Sequence, residues 1–261
     1  MGNAKCDQPV GVFDSGVGGI SVLKELYQVM PQEHYIYFGD SKNAPYGTRP
    51  VEEIRSLTIA NVKFLLEQGV KGIVVACNTA TAAAVRTLRG MYPDIPLVGI
   101  EPAVKPAALQ AGHPTILVMA TPMTISGDKY KTLMMRYEQK ADIIGLPCPG
   151  LVEFVETGNT DGADLKVFLE NLLAPYLREI DSIVLGCTHY PFVRRLIQEI
   201  AGERVRIFDG GNGTAREMRR RLKEAGLLSA HEGLGTVTFE NSLASEEEIE
   251  LSRTLFQKNL F

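Results

Sequence analysis

Residues 183–191, IVLGCTHYP, and residues 73–81, IVVACNTAT, follow one pattern, and that pattern sets the architecture of the chain. In the first, the apolar run from Ile183 to Leu185 reads as a buried strand and Gly186 lets the chain turn. Cys187, Thr188 and His189 then fall where a strand ends and a helix begins. In the second, a branched apolar strand leads to Cys77, a small polar residue and an alanine-rich helix start. The carboxyl ends of strands are where α/β proteins place their chemistry. Two cysteines at that position, 110 residues apart, suggest two thiols brought face to face across one cleft.

Outward from these stretches, strands and helices alternate. VGVFDSGVGG (10–19) is a short strand running into a glycine-rich turn, and an amphipathic helix follows over 20–30, stopped by Pro31. A strand and loop over 34–50, a helix over 52–68, a helix to about residue 89 and a strand over 96–104 complete a first series. Such alternation predicts a parallel sheet covered by helices on both faces. From Pro114 the series restarts. PTILVMATPMTIS (114–126) lies on PVGVFDSGVGGIS (9–21) at a shift of 105, DIIGLPCPG (142–150) lies on YIYFGDSKN (35–43) at 107, and the cysteine strands correspond at 110. Three strand ends at nearly one offset indicate a duplicated unit. A further strand, glycine turn and helix (205–218) and a last strand (235–241) break the symmetry. The expected fold is α/β, with two pseudo-symmetric, doubly wound parallel-sheet domains and a site in the cleft between them. The first spans 1–100 and, through a returning tail, 208–261; the second spans 101–207.

Bulk properties narrow the function. A net charge of −4 with interspersed signs gives no footprint for nucleic acid. No stretch approaches the roughly 18 apolar residues of a membrane span, and residues 1–9 are too short and polar for a secretory signal, so the cytoplasm is the expected compartment. Four cysteines without a CxxC pair read as reduced thiols rather than as disulfides or a zinc site. Cys6, in the N-terminal segment, and Cys148, between two prolines, read as incidental.

Cys77 and Cys187 each precede an expected helix start, with Thr79 and Thr188 available as caps. A helix N-terminus lowers a thiol pKa by opposing the thiolate charge. Two thiols suit a reaction in which a proton leaves one face of a tetrahedral carbon and another arrives on the opposite face. His189 could tune Cys187 in that scheme, or serve it as a covalent nucleophile's partner. Asp14 should stand on the same rim, as a proton-handling group or a helix cap. Glu156, on residues alone, reads as a solvated helix-end carboxylate. DSGVGG misses the dinucleotide fingerprint, because Ser21 stands where its last Gly or Ala belongs. Ser15, Asn78, Thr79 and Thr188, with bare backbone amides, suit a small carboxylic acid better than a nucleotide.

Five blocks then combine: FDSGVGG (13–19), FGDSKNAPYG (38–47), ACNTAT (76–81), CPGLVEFVETG (148–158) and GCTHYP (186–191). In their order they resemble the signature blocks of the glutamate racemases, cofactor-independent enzymes of the aspartate/glutamate racemase superfamily. The resemblance implies a base for one enantiomer at Cys77 and for the other at Cys187. It gives Asp14, His189 and Glu156 assisting roles, and places Ser15, Tyr46, Gly47, Asn78, Thr79, Thr121 and Thr188, with Asp14 and His189, around the substrate. It also implies two pseudo-symmetric domains, no cofactor or metal, a homodimer, and D-glutamate supplied for peptidoglycan. The alternatives are an aspartate or other amino-acid racemase, a hydrolase using Cys187 and His189, and a non-catalytic binder of acidic amino acids.

Overall fold

The computed structural model describes residues 5–260; the ends of the expected first-domain span, residues 1–4 and 261, lie outside them. Nine strands are present among the described residues: β1 (Val10–Asp14), β2 (Tyr35–Gly39), β3 (Gly72–Val75), β4 (Leu97–Gly99), β5 (Thr115–Ala120), β6 (Asp142–Pro147), β7 (Ser182–Leu185), β8 (Arg206–Asp209) and β9 (Val237–Asn241). The helices are α1 (Ile20–Val29), α2 (Val51–Glu67), α3 (Asn78–Met91), α4 (Val104–Ala108), α5 (Pro122–Ser126), α6 (Asp128–Met135), α7 (Leu151–Glu156), α8 (Ala163–Leu173), α9 (Arg194–Ala201), α10 (Gly211–Glu224) and α11 (Glu246–Gln257).

Two parallel sheets result. The first has the order β4-β3-β1-β2-β9 and the second β6-β5-β7-β8. Read from the opposite edge, the second is β8-β7-β5-β6, so β1, β2, β3 and β4 correspond to β5, β6, β7 and β8. The sequence shifts anticipate the first three of those pairs; β8, expected to break the symmetry, instead pairs with β7 as β4 pairs with β3, and β9 is the one strand without a counterpart. These inner strands are apolar runs because both faces are covered: all five residues of β1 and all four of β3 and β7 are buried. The expected strand at 96–104 is shorter, ending at Gly99, and α4 begins at Val104.

Packing rather than capping holds α1. It has no side-chain N-cap bond, but Ile20, Leu23 and Leu26 are fully buried, each contributing about 1.5–3 kcal/mol. The tail returns to this side: β9 pairs with β2 in parallel, from Tyr35↔Val237 to Gly39↔Asn241. α10 lies along α1. A fully buried ion pair, Lys71 with Glu33, fixes the base of the first sheet; Lys71 also donates to the Cys6 carbonyl, and Glu33 accepts the Ser229 N–H at 2.8 Å. No helix among the described residues is long and apolar enough to cross a membrane.

The registers place the chemistry. Phe13 pairs with Val75 and Met119 with Leu185, so Asp14 and Cys77 leave the first sheet at one rim and Thr121 and Cys187 leave the second at its equivalent.

Candidate active site

Cys77 and Cys187, one from each sheet, line a single buried cavity of about 20 Å³. Ser15, Tyr46, Gly47, Asn78, Thr79, Thr121, Glu156, Thr188 and His189 line it as well. Of the residues singled out from the sequence only Asp14 lies behind the lining, and it holds a lining residue in place. Cys6 and Cys148 are elsewhere: Cys6 donates to the Gly226 carbonyl at 3.3 Å, and Cys148 to the Leu146 carbonyl at 3.3 Å.

The two thiols have different surroundings. Cys77 is itself the N-cap of α3, its Sγ accepting the Ala80 N–H at 3.4 Å, and Ser15 Oγ lies 3.4 Å away. The thiol therefore takes the capping role expected of Thr79. Thr79 instead reaches across the cleft, its Oγ1 3.1 Å from Thr121 Oγ1 and 3.3 Å from Thr124 Oγ1. Cys187 departs further from expectation. A 3-10 turn over Tyr190–Val193, with Pro191 at its start, separates it from α9, so no helix begins beside this sulfur. Its partner is His189, whose Nδ1 lies 3.6 Å from Sγ.

His189 is gripped from its far side. Nε2 is 2.5 Å from Glu156 Oε1, which also accepts the Val17 N–H at 3.0 Å. A carboxylate that reads in sequence as a solvated helix end thus joins α7 of one half to the glycine turn of the other. Close approach requires glycine there: a Cβ on Gly16 would lie 1.9 Å from Glu156 Oε1, and one on Gly18 2.3 Å from His189 Nδ1. Asp14 is fully buried; it accepts the Thr188 hydroxyl at 2.9 Å and the Gly16 N–H at 3.0 Å.

Burial decides the protonation of the first thiol. It pushes Cys77 up to about 12, helped by the charge of Asp14 and opposed by the hydrogen bonds from Ser15 and Ala80. The lowering expected from the helix terminus is overturned: desolvation of the charged form outweighs the α3 amides. Asp14 is likewise raised by burial. At His189 burial works downward, but the hydrogen bonds and charges of Cys187 and Glu156 outweigh it and hold the imidazole well above its ordinary pKa.

That sign makes a stability prediction. A group whose folded pKa is raised stabilises fully below its unfolded value, about 6.5 for histidine, and the contribution fades as pH climbs through the folded value. The Tm advantage of the parent over His189→Asn is therefore expected to be largest near pH 6 and to shrink towards pH 10 in calorimetric scans. An advantage that widens with pH would contradict a charged His189.

Sequence reasoning missed several participants. Thr124 is 4 % exposed and closes the hydroxyl triangle, 3.0 Å from Thr121 Oγ1. A signal was available, since Thr-Pro-x-Thr reads as an N-cap with Pro at N1, and Thr121 does accept the Thr124 N–H at 3.2 Å. Behind Tyr46 stands Asp40, whose Oδ2 accepts the Tyr46 hydroxyl at 2.6 Å and the Asn61 amide at 3.0 Å. Ala44, Pro45 and Val152 add apolar lining. Asn78 Oδ1 is buried without a hydrogen-bond partner among the described residues, an acceptor aimed for a donor such as an ammonium. The set holds hydroxyls, carboxylates and thiols, but no group of His, Cys, Asp and Glu suited to a metal ion occurs among the described residues.

The profile of the Asp/Glu/hydantoin racemases matches residues 16–218. A glutamate racemase of Clostridium perfringens is 52% identical over 250 residues, covering 95% of this chain and 96% of its own. One of Clostridium botulinum is 49% identical over 256 residues, covering 98% and 99%. Among solved structures, the glutamate racemase of Francisella tularensis in complex with D-glutamate superposes with a TM-score of 0.84 at 28% identity, covering 97% of this chain and 95% of the other.

Proposed function

The chain belongs to the Asp/Glu/hydantoin racemase family, and from that premise we propose that it is a glutamate racemase in which Cys77 and Cys187 move protons on opposite faces of Cα. One observation carries the reading: a thiol from each sheet lines the same buried cavity, and each has its own proton-handling neighbours. A single-thiol hydrolase would use Cys187 and His189 and leave the Cys77–Ser15 arrangement without a purpose.

The resting protonation suits one half-reaction. Cys77, raised by burial, holds its proton as the acid. Cys187, its Sγ 3.6 Å from His189 Nδ1, acts as the base. The Cα proton passes to the Cys187 sulfur, the electron pair is held on the planar carbanion, and the Cys77 S–H delivers its proton to the other face. The protonation states are then exchanged and the protein is set for the reverse direction. His189 and Glu156 return the Cys187 proton towards solvent, while Ser15 serves Cys77 and the Asp14 charge helps keep the Cys77 proton in place.

The α-hydrogen of an amino acid is far less acidic than a thiol, so the carbanion needs help. Oriented donors at the α-carboxylate contribute about 2.7–4 kcal/mol each by analogy with oxyanion holes. Ser15 and the backbone amides of Gly47 and Thr188 are the donors, the Thr188 hydroxyl being committed to Asp14, and Asn78 Oδ1 accepts from the ammonium. A water needs roughly 10–15 Å³ of such space, so a cavity of about 20 Å³ is smaller than glutamate requires. The halves must part to admit substrate and close to exclude water. The residues call for no cofactor. The product D-glutamate serves peptidoglycan synthesis in the cytoplasm, and the working unit is a homodimer.

Incubation with each glutamate enantiomer in heavy water tests the reading. Optical rotation is expected to decay to zero from either side, with deuterium entering the product at Cα. Retained rotation with both enantiomers would reject it, and loss of rotation with aspartate alone would favour the sister activity.

A further inference from the structure

We propose that Lys258, just beyond α11, is a positioning residue that holds Glu156 on His189 by pinning the turn that follows α7, an inference that rests on the racemase reading above.

α11 belongs to the tail packed on the first half. Its Phe256 ring meets Tyr27 edge-on at 5.7 Å, and the Lys24 ammonium lies 5.4 Å from the same ring while donating to the Phe256 carbonyl. The end of this helix then crosses to the second half. Lys258 Nζ donates to Thr160 Oγ1 and lies 3.7 Å from Asp161 Oδ2. Leu251 covers Gly158, where a Cβ would lie 3.4 Å from Leu251 Cδ1. Thr160 is only 5 % exposed, whereas the Asp161 side chain is 74 % exposed, so the hydroxyl is the anchor and the ion pair adds little.

What is anchored is a stiff connector. Gly158, at φ +76°, reverses the chain; the Asn159 N–H donates to the Phe154 carbonyl at 2.8 Å, and Asn159 Oδ1 accepts the Gly162 N–H at 2.9 Å. Glu156 is the last residue of α7 and enters this turn directly. Fixing Thr160 therefore fixes where the end of α7 points. Glu156 Oε1 must serve Val17 and His189 at once, and it lies between the halves that Lys258 also joins. The tail thus ties the domain seam at the place where the Cys187 side of the chemistry is aligned. A displacement of about 1 Å at such a point can cost about a hundredfold in rate.

Lys258→Met is expected to lower kcat about tenfold with KM and Tm close to the parent, Lys258→Arg to keep most of the activity, and Thr160→Val to reproduce the loss from the other partner. Because Lys258 acts through Glu156, the same Lys258→Met change in a Glu156→Gln background is expected to cost less than about twofold. Parent-like kcat in both Lys258→Met and Thr160→Val would overturn the proposal, as would a full tenfold loss in the Glu156→Gln background. If Lys258→Met lowers Tm, Thr160→Val decides, since it leaves the lysine and α11 intact. A parent protein that fails to racemise either glutamate enantiomer would instead reject the functional reading itself.

Discussion

Cys77→Ser and Cys187→Ser are each expected to lower glutamate racemisation by at least about a thousandfold, the range that a positioned general acid or base contributes. Serine preserves the shape of the side chain and the cap on α3, so the fold should persist and the loss should fall on kcat. The hydroxyl is too weak an acid to deliver a proton on the timescale of turnover and too poorly ionised to accept one. The two variants are also expected to differ. Cys187→Ser removes the sulfur beside His189, so the imidazole loses one of the contacts that raise its pKa. Cys77→Ser leaves the Cys187–His189–Glu156 chain intact, and slow exchange of the α-hydrogen from one enantiomer, without inversion, should survive it. Proton NMR in heavy water, followed for each enantiomer separately, distinguishes the cases. Inversion at parental rate in either variant would remove the two-base mechanism.

Gly18→Ala is expected to cost about a hundredfold in kcat although it adds one methyl group and removes no functional atom. The new Cβ would sit 2.3 Å from His189 Nδ1 and 2.5 Å from Cε1, nearer than any two such atoms approach. His189 is 2 % exposed and held on its far side by Glu156, so the ring can yield only by leaving Cys187 or Glu156. Misplacing a catalytic group by about 1 Å costs about that factor. Gly90→Ala is the control: a Cβ there finds nothing within 4 Å, and it lies inside α3, where alanine is the better helix former by about 1 kcal/mol. Circular dichroism should show both variants folded. Parent-like kcat in Gly18→Ala would mean that His189 need not stand beside Cys187.

Much of this molecule is legible in its sequence because strand ends carry strong local signals. An apolar run covered on both faces has no alternation, and the glycine or cysteine that ends it marks the rim; the duplication then puts Cys77 and Cys187 on equivalent rims. The groups that local reading misjudges are those whose role comes from distant partners. Glu156 reads as solvated because nothing near it reveals that Val17 and His189 converge on it. Asn61 reaches Asp40 and Tyr46 only after α2 folds back on the loop after β2. The two sulfurs stand differently towards a helix start. At Cys77 the helix is present and desolvation overrides it; at Cys187 the 3-10 turn starting at Tyr190 delays α9 to Arg194.

The pairing of β9 with β2 has a consequence during synthesis. Tyr35 emerges from the ribosome some two hundred residues before its neighbour Val237. Through most of translation the nascent chain therefore carries an open strand edge, able to recruit a strand from another molecule. The second sheet has all four of its strands once β8 ends at Asp209. The later-made half can thus mature first, and premature termination near residue 235 would release a chain primed for aggregation rather than a slow enzyme.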